Sequence, residues 1–79
     1  MKRAGILRRL SAVFADVLER PGLRVTEKTS AADLRGWDSL AHIALLAETE
    51  AAFGIKFTMK EIISLKDVGG IVAVIEREL

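Results

Sequence analysis

The 79-residue sequence has no cysteine, one proline and one tryptophan. The absence of cysteine excludes a disulfide framework and a thiolate metal site, and it leaves the polypeptide without any thiol of its own. Three phenylalanines complete the aromatic residues, although 51% of the chain is hydrophobic. The core is therefore expected to be aliphatic, which favours helices over a small β-barrel.

The chain also lacks an excess of charge of either sign, and it lacks long apolar runs. The chain carries 12 basic and 11 acidic residues, and no basic stripe is interleaved with aromatic residues, so we expect no nucleic-acid partner. Arg8 and Arg9 interrupt the first apolar run, and no other run is long enough to span a membrane. We predict a cytoplasmic protein that forms one domain over residues 1–79, because so short a chain supports only one core.

Apolar residues at helical spacing predict a first helix over residues 3–19, ended by Pro21 and Gly22. The residues that carry this spacing are Ile6, Leu7, Leu10, Val13, Phe14, Val17 and Leu18. A connection of about 17 residues follows, which is long for a helical bundle. We expect Leu23, Val25 and Leu34 to anchor it to the core, and the Ser30–Asp33 segment to form one helical turn.

The second half of the chain predicts three further helices. Residues 39–53 contain no glycine or proline, and Gly54 ends that helix. Two Ser/Thr-x-x-acid boxes, beginning at Thr58 and Ser64, predict a short third helix and the start of a fourth. The fourth helix carries an apolar stripe formed by Val68, Ile71, Val72, Ile75 and Leu79. Gly69 and Gly70 in its first turns suggest fraying or a close approach to neighbouring backbone.

The segment Gly36-Trp37-Asp38-Ser39-Leu40 places a hydroxyl at the end of the long loop, on the first turn of a helix. It resembles the Asp-Ser-Leu attachment motif of acyl and peptidyl carrier proteins. The resemblance extends over nearly the whole chain, from the first helix through the long loop to the short third and last helices. It implies an all-α fold, a small four-helix bundle of the acyl carrier protein type.

The resemblance also implies a function. Ser39 would receive 4′-phosphopantetheine from coenzyme A, through a phosphopantetheinyl transferase that uses Mg²⁺, with Asp38 assisting docking or metal approach and Leu40 completing the motif. The chain would be a carrier without catalytic activity of its own. It would present a thioester-linked acyl or aminoacyl group to loading and downstream enzymes. The chain resembles the discrete carriers of bacterial secondary metabolism, which often read Trp-Asp-Ser-Leu, and we expect it to be monomeric.

His42 lies three residues after Ser39, which raises the alternative of a hydrolytic Ser/His pair. The chain has no second histidine and no convincing oxyanion hole. The helical position also points His42 with Leu45 and Phe53 toward the core. We therefore interpret His42 as a partly buried structural residue.

Two further features concern partner binding. Trp37 is interpreted either as a lid over the loop and core or as an exposed aromatic that partners contact. An alanine-rich face of the second helix is formed by Leu40, Ala44, Ala47, Glu48 and Ala51. Only Glu48 is charged there, whereas the same face of the best-known fatty-acid carriers is acidic, so we expect dedicated partners. The alternative is a non-modified helical adaptor that binds through this face.

We also predict a small apolar cavity that could shelter part of a cargo between the second, third and fourth helices. Its expected border consists of Leu45, Leu46, Ile62, Ile63 and Ile71. The reason is a surplus of adaptable aliphatic side chains around a short third helix.

Overall fold

Four α-helices make up the structure: α1 (Arg3–Val17), α2 (Ser39–Phe53), α3 (Met59–Ser64) and α4 (Val68–Glu78). The computed structural model describes residues 2–79. Over that range the only β-type pairing is an isolated bridge between Ser30 and Asp67. The predicted all-α fold with three long helices and one short helix is confirmed.

The ends of α2 are set by local chemistry that the sequence shows directly. Asp38 is the N-cap, and its Oδ1 accepts a hydrogen bond of 2.9 Å from the backbone N–H of Ala41. Gly54 ends the helix in the left-handed conformation, with φ of 67°. An acidic cap and a glycine of this kind satisfy backbone groups that the helix itself leaves unpaired. The predicted bounds of α2 are confirmed.

The start of α4 differs from the prediction. The Thr58 box is present, because Thr58 and Glu61 exchange both of its hydrogen bonds at the start of α3. Ser64, however, is the last residue of α3 and caps nothing. Asp67 caps α4 instead, and its Oδ1 accepts a hydrogen bond of 2.7 Å from the N–H of Gly70. The prediction from the second box was wrong because its acidic residue, Asp67, is itself the N-cap of α4 rather than the third residue of the helix.

The core is mainly aliphatic, although all four aromatic residues of the chain are also buried in it, and α1, α2 and α4 supply most of it. The fully buried residues are Ile6, Leu10, Phe14, Leu45, Leu46, Thr49, Val68, Ile71, Val72 and Ile75. Thr49, the one polar member, donates its hydroxyl hydrogen to the carbonyl of Leu45 at 2.7 Å. Leu79 does not belong to this core. Leu79 lies beyond the end of α4 and is 57% exposed, so the predicted apolar stripe ends at Ile75 and does not include Leu79.

The long loop is fixed to the junction of α3 and α4 by backbone hydrogen bonds. The carbonyl of Lys66 accepts from the N–H of Ala31, and that of Thr29 accepts from Val68. The N–H of Gly69 donates to the Glu27 carbonyl at 2.9 Å, and a Cβ on Gly69 would lie 2.9 Å from the same oxygen. The close approach predicted for the glycine pair is confirmed at Gly69.

Apolar side chains also hold the loop, as predicted. Val25 is buried, and Leu23 and Leu34 are partly buried against the core. The carbonyl of Ser30 accepts from the N–H groups of Asp33 and Leu34, which closes the expected single turn. The loop can therefore position the residues that follow it, Trp37 to Ser39.

The C-terminus of α1 has glutamate where a glycine would be unstrained. Glu19 has φ of 54°, and the N–H groups of Glu19 and Arg20 donate to the carbonyls of Asp16 and Ala15. This is the Schellman arrangement, whose left-handed position favours glycine. The reversal of the chain here ends α1 at Val17, two residues before the predicted end.

We expect Glu19→Gly to raise the free energy of unfolding by about 0.5 to 1 kcal/mol. The substitution removes the strain of a β-carbon in the left-handed conformation, and this gain is partly offset because glycine adds entropy to the unfolded chain. Urea denaturation followed by circular dichroism measures the change. Asp16→Gly is the contrasting substitution, since Asp16 lies in the last turn of α1 and should lose stability. A destabilised Glu19→Gly protein would contradict the expectation.

No helix among residues 2–79 is long and apolar enough to cross a membrane.

Candidate functional site

Ser39 is the first residue of α2, and its side chain is exposed. The long loop delivers it there, and the Asp38 cap fixes the direction in which the helix starts. The first turn of a helix leaves backbone N–H groups without intrahelical partners and carries the positive end of the helix dipole. Ser39 is therefore an accessible hydroxyl at a position that favours a bound anion such as a phosphodiester.

A groove of about 580 Å³ lies directly beside Ser39. It runs between the end of the long loop, the start of α2 and α3. The lining residues used below are Trp37, Ser39, His42, Ile43, Ile63 and Lys66. We name it the Ser39 groove.

The cavity predicted between α2, α3 and α4 is thus in a different place. Of its predicted border, Ile62 and Ile63 line the Ser39 groove. Leu45, Leu46 and Ile71 are fully buried in the core and do not line the groove. The predicted border is therefore divided between the core and the groove.

Trp37 forms the wall of the groove on the core side and is only 5% exposed. Its ring packs edge-on against Phe14, with centroids 5.0 Å apart at 82°, and stacks on His42 with centroids 6.0 Å apart. The suggestion that Trp37 is an exposed aromatic for partner contact is therefore corrected. Trp37 is the lid between loop and core.

His42 connects this lid to α3. Its Nδ1 accepts a hydrogen bond of 3.0 Å from Trp37 Nε1, which leaves Nε2 as the protonated nitrogen, donating to the Ile62 carbonyl at 2.7 Å. The tautomer is assigned from this network. Both ring nitrogens are thereby engaged, so His42 is a structural residue, as interpreted, and has no free nitrogen with which to activate Ser39.

The alanine-rich face is exposed at every predicted position. Leu40 is 82% exposed, and Ala44, Ala47, Glu48 and Ala51 are exposed along the same helix. Three exposed apolar residues nearby were not predicted: Ile43, Met59 and Ile63. The available signal was the spacing of Ile43 from Leu40 and of Ile63 from Met59, which places each pair on one helical face.

The residues around Ser39 suit a phosphopantetheine arm. The hydroxyl is accessible, the adjoining helix start favours the phosphodiester, and Lys66 brings a positive charge to the groove wall. The apolar side chains of Ile43 and Ile63 offer contact for an extended, mostly uncharged chain. When bound, the arm supplies a terminal thiol that the cysteine-free polypeptide lacks.

The comparisons with known proteins agree with this geometry. A search of curated protein sequences returned no match. Among solved structures, the chain is similar to the holo acyl carrier protein of Geobacter metallireducens, with 33% identity and a TM-score of 0.83. That match covers 92% of this chain and 84% of the other.

The family profile described as "Phosphopantetheine attachment site" matches residues 8–75. This range spans most of the sequence and includes the Ser39 groove with all its lining residues. The chain therefore belongs to the phosphopantetheine attachment site family and is a carrier of covalently attached 4′-phosphopantetheine.

Proposed function

We propose that Ser39 is the attachment residue. We further propose that the carrier presents a thioester-linked acyl or aminoacyl intermediate to enzymes of a bacterial secondary-metabolic pathway. Such a pathway would make a polyketide or a nonribosomal peptide in the cytoplasm. The observation that carries the assignment is the exposed hydroxyl of Ser39 at the start of α2, beside the groove. Residues 1–79 would act as one monomeric carrier domain.

The carrier supplies the acceptor hydroxyl and its orientation, and its partner supplies the chemistry. The Asp38 carboxylate is held by the N–H of Ala41, and both nitrogens of His42 are engaged. These are the two titratable side chains within three residues of Ser39, and His42 has no ring nitrogen left to take the serine proton. In the proposed reaction the transferase supplies the base. Asp38 still has a second carboxylate oxygen, which can meet the Mg²⁺ of that enzyme.

Dedicated partners are supported by the composition of α2. Its exposed face carries Glu48 as the charge among four small or apolar residues. A partner that recognises carboxylates on this face of α2 would find only Glu48. Contact through shape and apolar area suits enzymes that evolved with this carrier better than enzymes of general fatty-acid synthesis.

The direct test is intact-protein mass spectrometry after incubation with a promiscuous phosphopantetheinyl transferase, Mg²⁺ and coenzyme A. We expect one added arm per chain, located on Ser39 by peptide mapping. An unmodified adaptor would gain no mass. Protein isolated from its own cell would then identify the cargo by the mass that remains on the arm.

Ala47→Glu is expected to slow transfer by a loading enzyme of the pathway roughly tenfold. The new carboxylate would be buried without a partner in the complex with that enzyme, which costs at least about 1 to 3 kcal/mol. Ala47 lies in the middle of the exposed face of α2. Initial rates of cargo loading measure the effect, with circular dichroism to confirm folding.

Two variants serve as controls. Ala73→Glu makes the same change on an exposed position of α4, and Lys28→Glu changes a charge in the loop. Both should load at the unmutated rate. Equal slowing by Ala73→Glu would show that the effect is not specific to α2.

A further inference from the structure

The short helix α3 is the part of the bundle with the least packing of its own. None of its six residues is buried, whereas each of the three longer helices contributes at least three buried side chains to the core. Ile62 is the one apolar side chain of α3 that is partly buried against that core. The position of α3 therefore depends more on individual hydrogen bonds than on buried area.

One of these hydrogen bonds comes to α3 from His42 of α2. The last four carbonyls of a helix have no intrahelical partner, and α3 ends at Ser64, so the Ile62 carbonyl is one of the four. Among residues 2–79 no backbone N–H donates to it. His42 Nε2 lies 2.7 Å from this oxygen. The imidazole thus replaces the hydrogen bond that a longer α3 would supply.

The other nitrogen of the same ring holds the end of the long loop. His42 Nδ1 accepts from Trp37 Nε1 at 3.0 Å, two residues before Ser39 in the chain. Trp37, His42 and Ile62 all line the Ser39 groove. One imidazole therefore joins α3 to the loop that delivers the attachment residue. We name this ring, with its bonds to Trp37 and Ile62, the His42 clasp.

The His42 clasp requires a neutral imidazole. An indole N–H can only donate, so Nδ1 must keep its lone pair to accept from Trp37. An imidazolium carries a hydrogen on both nitrogens, and two donors would then face each other across the 3.0 Å between Nδ1 and Trp37 Nε1. The bond to the Ile62 carbonyl is compatible with either form, because Nε2 donates in both. Proton uptake therefore releases Trp37 while His42 keeps its bond to α3.

His42 is the only histidine in the chain. Imidazole ordinarily changes charge between pH 5 and 8, where carboxylates and lysines stay charged. The α1 side of the lid is apolar, because Phe14 packs on Trp37 there. The charged side chains of the surrounding elements are Asp38 and Lys66 in the groove lining, Glu61 beside Ile62 on α3, and Asp33 in the loop. A change at this site over that pH range therefore reports His42 rather than these neighbours.

We propose that His42 is a positioning residue for the attachment site: its neutral ring joins α3 to the end of the loop, and its protonated ring lets Trp37 go. This inference rests on the proposed function, because the site that it positions is the Ser39 groove of a carrier. His42 acts through Trp37 and Ile62 and touches no reacting atom. In acid the transferase should meet a groove whose loop side is no longer tied to α3, and should bind the carrier less tightly.

NMR of the unmodified, ¹⁵N-labelled carrier tests the clasp without any partner. At pH 8 the His42 ring should be the tautomer protonated at Nε2. Between pH 8 and pH 5 the Trp37 indole N–H signal should shift in step with the His42 ring, while the amides of Val72 and Ile75 in the core stay in place. The opposite tautomer at pH 8, or an indole signal that does not follow the ring, would overturn the proposal.

Two variants separate the clasp from packing. Trp37→Phe removes the donor and keeps a ring, so the stability that it removes at pH 8 should shrink at pH 5, where the unmutated protein has itself lost the bond. Urea denaturation at both pH values measures this, and an equal loss at both would contradict the clasp. His42→Gln has no group that titrates in this range, and its Trp37 indole signal should be independent of pH. An indole signal that still shifts in His42→Gln would assign the effect to another group.

The kinetics of arm transfer distinguish positioning from catalysis. Between pH 8 and pH 5, the KM of the transferase for the unmutated carrier should rise up to roughly fivefold relative to its KM for His42→Gln, the factor for about one neutral hydrogen bond. The ratio of the two kcat values should not change with pH. A change confined to kcat would place His42 in the chemistry and overturn the proposal. The mass gain of the unmutated carrier at pH 8 is read first, so failure of the Ser39 assignment is seen separately from failure of the clasp.

Discussion

Replacing Ser39 with alanine is expected to abolish the mass gain completely while the protein stays folded. The only nucleophile at the start of α2 is lost, and Asp38 continues to cap the helix because its bond goes to Ala41 rather than to Ser39. Ser39 is exposed and its side chain makes no hydrogen bond, and the substitution of such a residue usually changes stability by no more than about 0.5 kcal/mol. Intact mass spectrometry measures the first effect and urea denaturation the second.

A thiol reagent gives an independent reading, because the sequence contains no cysteine. It should be silent on the unmodified protein, report one thiol after modification, and remain silent on Ser39→Ala. Ser11, Ser30 and Ser64 provide the other serine hydroxyls. An arm found on any of them, or on the Ser39→Ala protein, would refute the assignment.

Trp37→Ala is expected to lower the free energy of unfolding by about 3 to 5 kcal/mol, the range for deleting a buried aromatic side chain. The ring packs on Phe14 and His42, and its removal leaves His42 Nδ1 without its donor. Small domains have only about 5 to 15 kcal/mol in total. This one substitution therefore removes a large share of the stability, which chemical denaturation at low temperature should show.

Trp37→Phe separates packing from hydrogen bonding. It keeps an aromatic ring against Phe14 but loses the Nε1–H donor, so we expect an intermediate loss of about 1 to 3 kcal/mol. If Trp37→Ala left stability unchanged yet stopped partner enzymes, then Trp37 would be a contact residue rather than a lid.

Both ends of α2 were accessible from sequence. The absence of glycine and proline from residues 39–53 and the glycine after Phe53 defined α2, because such signals act on their nearest backbone neighbours. The motif at Ser39 was equally readable. Where local signals competed, the prediction failed: both Ser64 and Asp67 can cap a helix, and only the tertiary position of the loop decides for Asp67.

The surroundings of Ser39 depended on contacts that no local pattern reports. Trp37 is buried because Phe14, 23 residues earlier, lies in place to receive its ring. The groove is lined by residues of the loop, α2 and α3, whereas Ile71, which was expected at its border, is fully buried in the core. Periodicity identifies which side of a helix is apolar, but not which neighbouring element covers it.

The loop's hydrogen bonds with Lys66, Val68 and Gly69 also bear on the order of folding. Contacts between distant segments form late, since a large loop must close before they add stability. During synthesis, the loop before Ser39 therefore lacks its anchors until α4 has emerged and docked. We expect a transferase that recognises the folded groove not to modify incomplete chains, so that only fully synthesised carriers receive the arm. Truncation before Val68 should thus suppress modification even though Ser39 is present.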